Sequence, residues 1–253
     1  MRIFKRMLSL VVALVFFAGA MPVSAAEIKV LGANPLQEGL TRIAEQFKRD
    51  TGHDVKVQIA TTGELNKILA AGGEGADILI GTAQMADQVL KEGKAAGAKT
   101  MVARVGIGII VRRGAPVPNV ATGDAIKQAA LAAEGVVYNT AGSGQNVHRM
   151  FDQMGISEQI KAKSARPGNA AQTMDRMMQG KGSEIGFGLL SEIKPYEEKG
   201  IQLIGRLPAD LQMCTNYEAV VFSGSKSAEP AKDFIRFLMA PAAKQLFAAT
   251  GVD

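Results

Sequence analysis

Hydrophobic residues along the chain switch repeatedly between strand spacing and helix spacing. The apolar stretch EIKVLGA, residues 27–33, predicts a strand. In the segment that follows, Leu40, Ile43 and Phe47 share one face of a helix. Apolar residues then alternate in HDVKVQIA, residues 53–60, which indicates a second strand. The opening third therefore predicts an α/β unit with parallel strands.

The same alternation continues to the end of the sequence. Helices are predicted in GELNKILAAGG, in residues 123–134, after TAGSGQN, after RPGN, in EPAKDFIRFLM and in PAAKQLFAATG. Strands are predicted in ADILIGTA, in one long segment VARVGIGIIVRRG (residues 102–114), and in GVVYN, EIGFGLL, GIQLIGRLP and CTNYEAVVFSG. Two α/β lobes follow from this order.

The first residues carry a targeting pattern. MRIFKRM holds three basic residues, and a short apolar run and the small residues PVSAA follow it. This order is typical of a cleaved secretory signal peptide, here residues 1–26, and predicts a periplasmic protein. Because the segment contains three basic residues and no acid, its removal lowers the formal net charge from +5 to +2.

Composition excludes several functions. The remaining sequence has no basic stripe with interleaved aromatics, so nucleic acid is not expected as a partner. The single cysteine, Cys214, rules out an internal disulfide and a cysteine zinc cluster. His53 and His148 lack metal-ligand spacing, and we predict neither a metal nor a cofactor.

Four predicted strand-to-helix junctions carry small and polar residues. They are GANPLQ, ATTGEL, TAGSGQN and RPGNAAQ, two in each lobe. A helix's first turn presents unpaired backbone N–H groups that favour an anion. Ligands of open α/β sheets bind at the carboxyl ends of strands, so the junctions predict a clamp around one small anion.

The segment order resembles a known family. AEIKVLGANPLQEGLTRIAEQF, VQIATTGELNKIL, ADILIGTA, GNAAQTM and EIGFGLLSEI are similar to segments of the periplasmic molybdate-binding proteins of ABC importers. The resemblance implies a type II periplasmic binding protein fold, with two α/β lobes joined by two crossing hinge strands. It implies one lobe of residues 27–104 plus 215–253 and a second lobe of residues 105–214.

The resemblance also implies a set of ligand-binding residues. The first serine position of the family falls at Asn34 or Pro35, and its serine cluster becomes Thr61, Thr62 and Gly63. Main-chain donors of the second lobe come from the turn of Ser143, Gly144, Gln145 and Asn146, and from Asn169 and Ala170. The family tyrosine aligns with Phe187, which cannot donate a hydrogen bond.

That loss affects the expected ligand. An oxyanion oxygen left without its donor costs about 1 to 3 kcal/mol. We therefore expect a small anion, either a molybdate-like oxyanion or a small carboxylate whose charge Arg149 or Arg166 could pair.

The predicted function is that of a monomeric periplasmic solute-binding protein, not an enzyme, which closes on its ligand and delivers it to an inner-membrane ABC permease. One alternative is an exported hydrolase with Ser143 as nucleophile, His148 as base and Asp152 nearby. Another is a sensor that passes the closed state to a receptor.

Overall fold

The computed structural model describes residues 25–253, so the predicted signal peptide lies almost entirely outside the described residues. The strands are β1 Glu27–Ala33, β2 Asp54–Ala60, β3 Ile78–Thr82, β4 Ala95–Val105, β5 Ile107–Arg112, β6 Gly135–Val137, β7 Ser164–Ala165, β8 Glu184–Leu189, β9 Ile201–Arg206 and β10 Thr215–Phe222. The helices are α1 Gln37–Thr51, α2 Thr62–Ala70, α3 Ala83–Lys91, α4 Gly123–Ala132, α5 Gly142–Gln153, α6 Ser157–Ile160, α7 Ala170–Gln179, α8 Leu190–Ile193, α9 Ala228–Leu238 and α10 Pro241–Ala249. Short 3-10 helices cover Asn34–Leu36, Lys161–Lys163 and Lys194–Lys199.

Helix ends follow local chemistry. Side chains of Thr61, Thr82, Thr122 and Asn169 accept a backbone N–H at the N-termini of α2, α3, α4 and α7. These caps satisfy donors that the helix itself leaves unpaired. At the other end of α1, Gly52 takes the left-handed conformation (φ 80°) that ends a helix at low steric cost.

The strands form two five-stranded sheets. The first has the order β2-β1-β3-β10-β4 and the second β7-β6-β8-β5-β9. Strand β1 runs parallel to β2 and β3, and β6 runs parallel to β7 and β8. Strand β10 is antiparallel to β3 and β4, and β5 is antiparallel to β8 and β9. The predicted α/β fold with two lobes is confirmed, although each sheet is mixed and not purely parallel.

The prediction of one long strand over residues 102–114 is wrong. This segment forms parts of two strands that belong to different sheets. Strand β4 ends at Val105 in the first sheet and β5 begins at Ile107 in the second, with Gly106 between them. An apolar pattern does not show which sheet a strand joins, so it cannot predict the break at Gly106.

The chain returns to the first sheet between β9 and β10. In this return segment Gln212 accepts from the Ile107 N–H at 2.7 Å and donates to the Ile107 carbonyl at 3.1 Å. The two crossings are thus tied side by side. We retain residues 27–104 plus 215–253 and residues 105–214 as the proposed lobe bounds.

Both sheets are covered by helices whose apolar faces are buried. Phe47 of α1 packs edge-on against Phe234 and Phe237 of α9, at ring distances of 5.1 and 5.2 Å. In the second lobe, Phe151 of α5 packs edge-on against Phe187 of β8 at 5.3 Å. These ring contacts hold α1 against α9 and α5 against β8. Within residues 25–253 no helix is both long and apolar enough to cross a membrane.

Candidate functional site

Two predicted junctions of the first lobe lie side by side. Strands β1 and β2 are parallel and in register, with Ala33 opposite Ala60. Neighbouring strands lie about 4.8 Å apart, so Asn34 and Thr61 leave the sheet as neighbours. The structure therefore brings together the two junctions that the sequence singled out in this lobe.

The Thr61 junction is closed by its own helix. The Thr61 hydroxyl accepts from the Glu64 N–H at 3.4 Å, and Glu64 Oε2 accepts from the Thr61 N–H at 2.9 Å and from its hydroxyl at 2.8 Å. These hydrogen bonds from Thr61 lower the pKa of Glu64, since they favour the ionised carboxylate. Thr62 and Gly63 are exposed. The Glu64 carboxylate thus occupies donors that an anion would need.

The two second-lobe junctions also lie together. The Tyr138 N–H donates to the Ala165 carbonyl at 3.1 Å, and the Thr140 N–H donates to the Pro167 carbonyl at 2.8 Å. The turn that leads into α5 therefore runs beside the turn that leads into α7. This is the pairing that a shared binding site requires.

The turn into α5 is tightly packed. Ser143 is buried, and its hydroxyl accepts from the Asn139 amide at 3.4 Å. The Gly144 N–H donates to Asn139 Oδ1 at 3.2 Å. A Cβ atom on Gly144 would lie 1.8 Å from the Asn139 carbonyl oxygen, so only glycine fits here. Gln145 is exposed and donates to the Thr140 carbonyl at 3.4 Å.

The proposed hydrolase arrangement is not assembled. Nδ1 of His148 lies 3.2 Å from the Tyr138 hydroxyl, and its Nε2 lies 3.8 Å from Asp152. Within the described residues no hydrogen bond joins Ser143 to His148. A nucleophile needs its base within hydrogen-bonding reach, and here Tyr138 holds that base.

Asn169 and Phe187 have mainly structural contacts. The Asn169 side chain accepts from the Gln172 N–H at 3.0 Å and so caps α7. Phe187 is 1% exposed and lies in the core against Phe151. It does not line the interlobe cavity described below.

The two arginines proposed to pair with a ligand have other contacts. The Arg166 guanidinium lies 5.1 Å from the centre of the Tyr138 ring. Arg149 donates to Asn146.

A cavity of about 560 Å³ lies between the two lobes. From the first lobe it is lined by Asn34, Pro35, Gln37, Glu38, Thr41, Arg42 and Thr250. From the second lobe it is lined by Ala170, Ala171, Ser191, Glu192, Pro195, Tyr196 and Lys199. Asn34 and Ala170, one predicted residue from each lobe, therefore face the same space. The other predicted site residues lie at the neighbouring junctions or, for Phe187, in the core.

The most unusual group in this cavity is Glu192, which the sequence analysis did not select. Burial raises the pKa of Glu192 to about 7, and interaction with the Asn34 side chain partly opposes that rise. Burial and the nearby Glu192 charge also raise the pKa of Tyr217 on β10, which is 2% exposed. The pKa of Tyr196 is raised by burial first, then by the charges of Asp175 and Glu192.

Other polar groups of the cavity differ in charge and in pairing. The Ser191 hydroxyl oxygen is buried and has no hydrogen-bond partner within the described residues. Arg42 forms an ion pair with Glu38, and the Lys199 ammonium lies 4.9 Å from the Tyr196 ring centre. Among these residues the buried Ser191 hydroxyl and the Lys199 ammonium are available to an anion, whereas Arg42 would first have to leave Glu38.

One signal in the sequence could have found Glu192. It lies in the short helix α8, three residues after the end of the buried strand EIGFGL, at a fifth strand-to-helix junction. The strand-end rule applied to the other four junctions selects it too. In the sequence, however, nothing distinguishes a single acid before KPYEEK from a surface charge.

Comparison with known proteins identifies the family of this chain. The model of bacterial extracellular solute-binding proteins matches residues 28–253. This chain belongs to that family. Among curated relatives of this solute-binding protein, the molybdate-binding protein ModA of Azotobacter vinelandii is 26% identical over 254 residues, covering 96% of each chain. The predicted relationship to the molybdate-binding proteins is confirmed.

A solved structure supports the same fold. The periplasmic molybdate-binding protein of Azotobacter vinelandii superposes with a TM-score of 0.70 at 17% identity, covering 89% of this chain and 98% of that one. The type II periplasmic binding protein fold, predicted from the sequence, is confirmed by this likeness and by the two sheets.

A second curated relative corrects one prediction. An aconitate isomerase of a Pseudomonas species is 25% identical over 235 residues, covering 89% of this solute-binding protein and 87% of the isomerase. The prediction that the chain is not an enzyme is wrong, because this curated relative is named as an enzyme.

Proposed function

We propose that this solute-binding protein holds a small organic carboxylate in the cavity between its lobes and delivers it to an inner-membrane ABC permease. In this proposal a cleaved signal peptide directs the chain to the periplasm, where it acts as a monomer. Closure of the lobes orders the site, and the permease recognises the closed form.

The observation that carries the proposal is the composition of the cavity wall. Asn34 and Arg42 from the first lobe face Ala170 and Lys199 from the second across one space of about 560 Å³. Pockets for small ligands commonly measure 300 to 1,000 Å³. The Asn34 amide, the Lys199 ammonium and, once released from Glu38, the Arg42 guanidinium can bind anionic groups, and a ligand touching both walls stabilises the closed state.

The lining favours a carbon skeleton over a bare tetrahedral oxyanion. Pro35, Ala170, Ala171 and Pro195 supply apolar surface beside the polar groups. A tetrahedral oxyanion makes no use of apolar contacts, whereas a carboxylate buries its chain against them. Molybdate is the competing ligand, because one curated relative is named a molybdate-binding protein.

Ligand-dependent stabilisation tests this proposal. We expect small di- and tricarboxylates to raise Tm of the mature protein, by about 2.7 kcal/mol of stability at 100 times Kd, more than molybdate, tungstate, sulfate or phosphate do. Arg42→Gln should weaken carboxylate binding. Arg236→Gln is the control, because Arg236 is paired with Asp233 on the exposed face of α9 and lies outside the cavity.

Two outcomes contradict the proposal. Stabilisation by molybdate alone would overturn the carboxylate class, and no response to any anion would overturn the cavity as an anion site.

A second function is supported by Glu192. We propose that the same cavity catalyses isomerisation of a small unsaturated polycarboxylate. The carboxyl of Glu192 has its pKa raised to about 7, the range in which one group serves as both acid and base at neutral pH. A curated relative bears the name aconitate isomerase. Incubation with cis- or trans-aconitate, followed by proton NMR, tests it: formation of the other isomer supports the activity, and an unchanged spectrum at high protein concentration contradicts it.

A further inference from the structure

Glu192 differs from the other acid in the cavity. Glu38 is exposed and forms an ion pair with Arg42. Glu192 is partly buried, and within residues 25–253 it forms no ion pair. A partly buried carboxyl group that lacks a cation partner is free to exchange a proton with a bound molecule.

The surroundings of Glu192 come from both lobes. Asn34 approaches it from the 3-10 helix that precedes α1, and the Tyr217 phenol is near it on β10, which belongs to the first sheet. Ser191 and Tyr196 of the second lobe line the same cavity. A ligand held between the lobes would therefore meet the Glu192 carboxyl at the point where the lobes touch.

We propose that Glu192 is the catalytic residue that removes a proton from, and returns it to, a small unsaturated polycarboxylate bound in this cavity. The inference rests on the second proposed function and names the residue that performs it. Glu192 lines the cavity between the lobes, and its raised pKa adds to that placement because an ordinary glutamate is too weak a base at pH 7.

The reaction balances without any co-reactant. The Glu192 carboxylate takes a proton from the CH₂ carbon next to a carboxylate, the C–H electron pair forms a new C=C bond, and the former C=C pair moves to its outer carbon. The protonated Glu192 then gives the proton to that outer carbon. The double bond has moved by one position, no atom is gained or lost, and Glu192 returns to its ionised form.

The other charged and titratable groups fit supporting roles. Arg42 and Lys199 line the cavity and can bind substrate carboxylates, which makes the adjacent C–H bond more acidic. Tyr196, whose pKa is raised, stays protonated and lines the cavity, so it can donate to the charge that develops. Asp175 acts on Tyr196, and Glu38 is held by Arg42.

The test compares two glutamine variants with the wild type. Glu192→Gln keeps the size of the side chain and removes the exchangeable carboxyl. Glu198→Gln is the matched control, since Glu198 is exposed, lies in the 3-10 helix that follows α8 and does not line the cavity. We expect Glu192→Gln to lower kcat for aconitate isomerisation by about 100- to 10,000-fold while its Kd changes by less than about tenfold, and Glu198→Gln to match the wild type.

Each outcome is decisive. Wild-type kcat/KM should rise with pH and level off above about pH 7, as Glu192 ionises. A Glu192→Gln variant that isomerises at the wild-type rate would overturn the assignment of Glu192 and leave the isomerase proposal intact. A wild type that binds aconitate without isomerising it would overturn both, while the carboxylate-binding function would stand. Failure to bind any carboxylate would overturn the carboxylate-binding function, the isomerase activity and the assignment of Glu192.

Discussion

Asn34 of the first lobe and Glu192 of the second lobe interact across the cavity between the lobes. The 3-10 helix that carries Asn34 lies against α8, which carries Glu192, so backbone packing holds the pair in place. The interaction favours the ionised form of Glu192 and opposes the effect of its burial. Asn34 of one lobe thus acts on the proton affinity of Glu192 in the other.

Removing the Asn34 amide should raise the pKa of Glu192 further. In Asn34→Ala the carboxylate loses the interaction that stabilises its charge, while its burial persists. Carbon-13 NMR titration of the glutamate carboxyls is the measurement, and the Glu192 resonance is assigned by its absence in Glu192→Gln. Gln37→Ala is the control, because Gln37 also lines the cavity and does not act on Glu192. A midpoint that falls or stays constant in Asn34→Ala contradicts the interaction.

Stability should depend on pH through Glu192. Its pKa is about 7 in the folded protein against 4.5 for an ordinary glutamate. Between these values the folded state binds more protons than the unfolded state, so this group makes stability fall as pH rises. The effect of Glu192 is absent below about pH 4.5 and complete above about pH 7, where it reaches about 3 kcal/mol at most.

Glu192→Gln isolates that contribution. The difference in unfolding free energy between variant and wild type, from urea titrations at several pH values, should grow in favour of the variant from pH 4.5 to pH 7 and then level off. Glu198→Gln should show no such growth, since its side chain is exposed. A pH-independent difference for Glu192→Gln would mean that Glu192 ionises at an ordinary pKa.

Much of the fold could be predicted because it depends on local sequence patterns. The helix and strand periods of the first third are satisfied by the observed elements, and the capping residues Thr61 and Asn169 lie where the junctions were expected. These features depend on neighbours within a few residues. The strand ends also converge as expected, since parallel strands in register place their following turns side by side.

The remaining features depend on contacts that are distant in sequence. Nothing near Gly106 shows that β4 and β5 belong to different sheets, and β10 joins the first sheet from more than 100 residues away. Glu192 became visible only when folding placed it beside Asn34 and removed it from water. Burial of a charge is a property of the assembled lobes, so composition and spacing do not reveal it.

The turn into α5 should tolerate no side chain at Gly144. A Cβ there would lie 1.8 Å from the Asn139 carbonyl oxygen, a backbone atom that cannot move aside without opening the turn. Gly144→Ala should cost about 1 to 3 kcal/mol or more of stability. Gly142→Ala is the control, since it lies in the same helix with no atom within 4 Å of the added Cβ, and should be neutral or stabilising by up to about 1 kcal/mol. Equal stability of the two variants, measured by urea unfolding, would contradict the packing of this turn.

Thr61 was predicted to bind the ligand, but its observed contacts indicate that it caps α2 instead. Its hydroxyl and N–H both donate to Glu64, so an anion would have to displace that carboxylate. Thr61→Ala should therefore lower stability by about 1 kcal/mol, through the lost capping box, and Tm by about 2 to 4 °C. Its effect on carboxylate affinity should stay below about threefold. Thr62→Ala, an exposed neighbour, should change stability by less than about 0.5 kcal/mol. A loss of affinity beyond tenfold in Thr61→Ala, with Tm unchanged, would instead show that the Thr61 hydroxyl contacts the ligand and that Glu64 yields its place on binding.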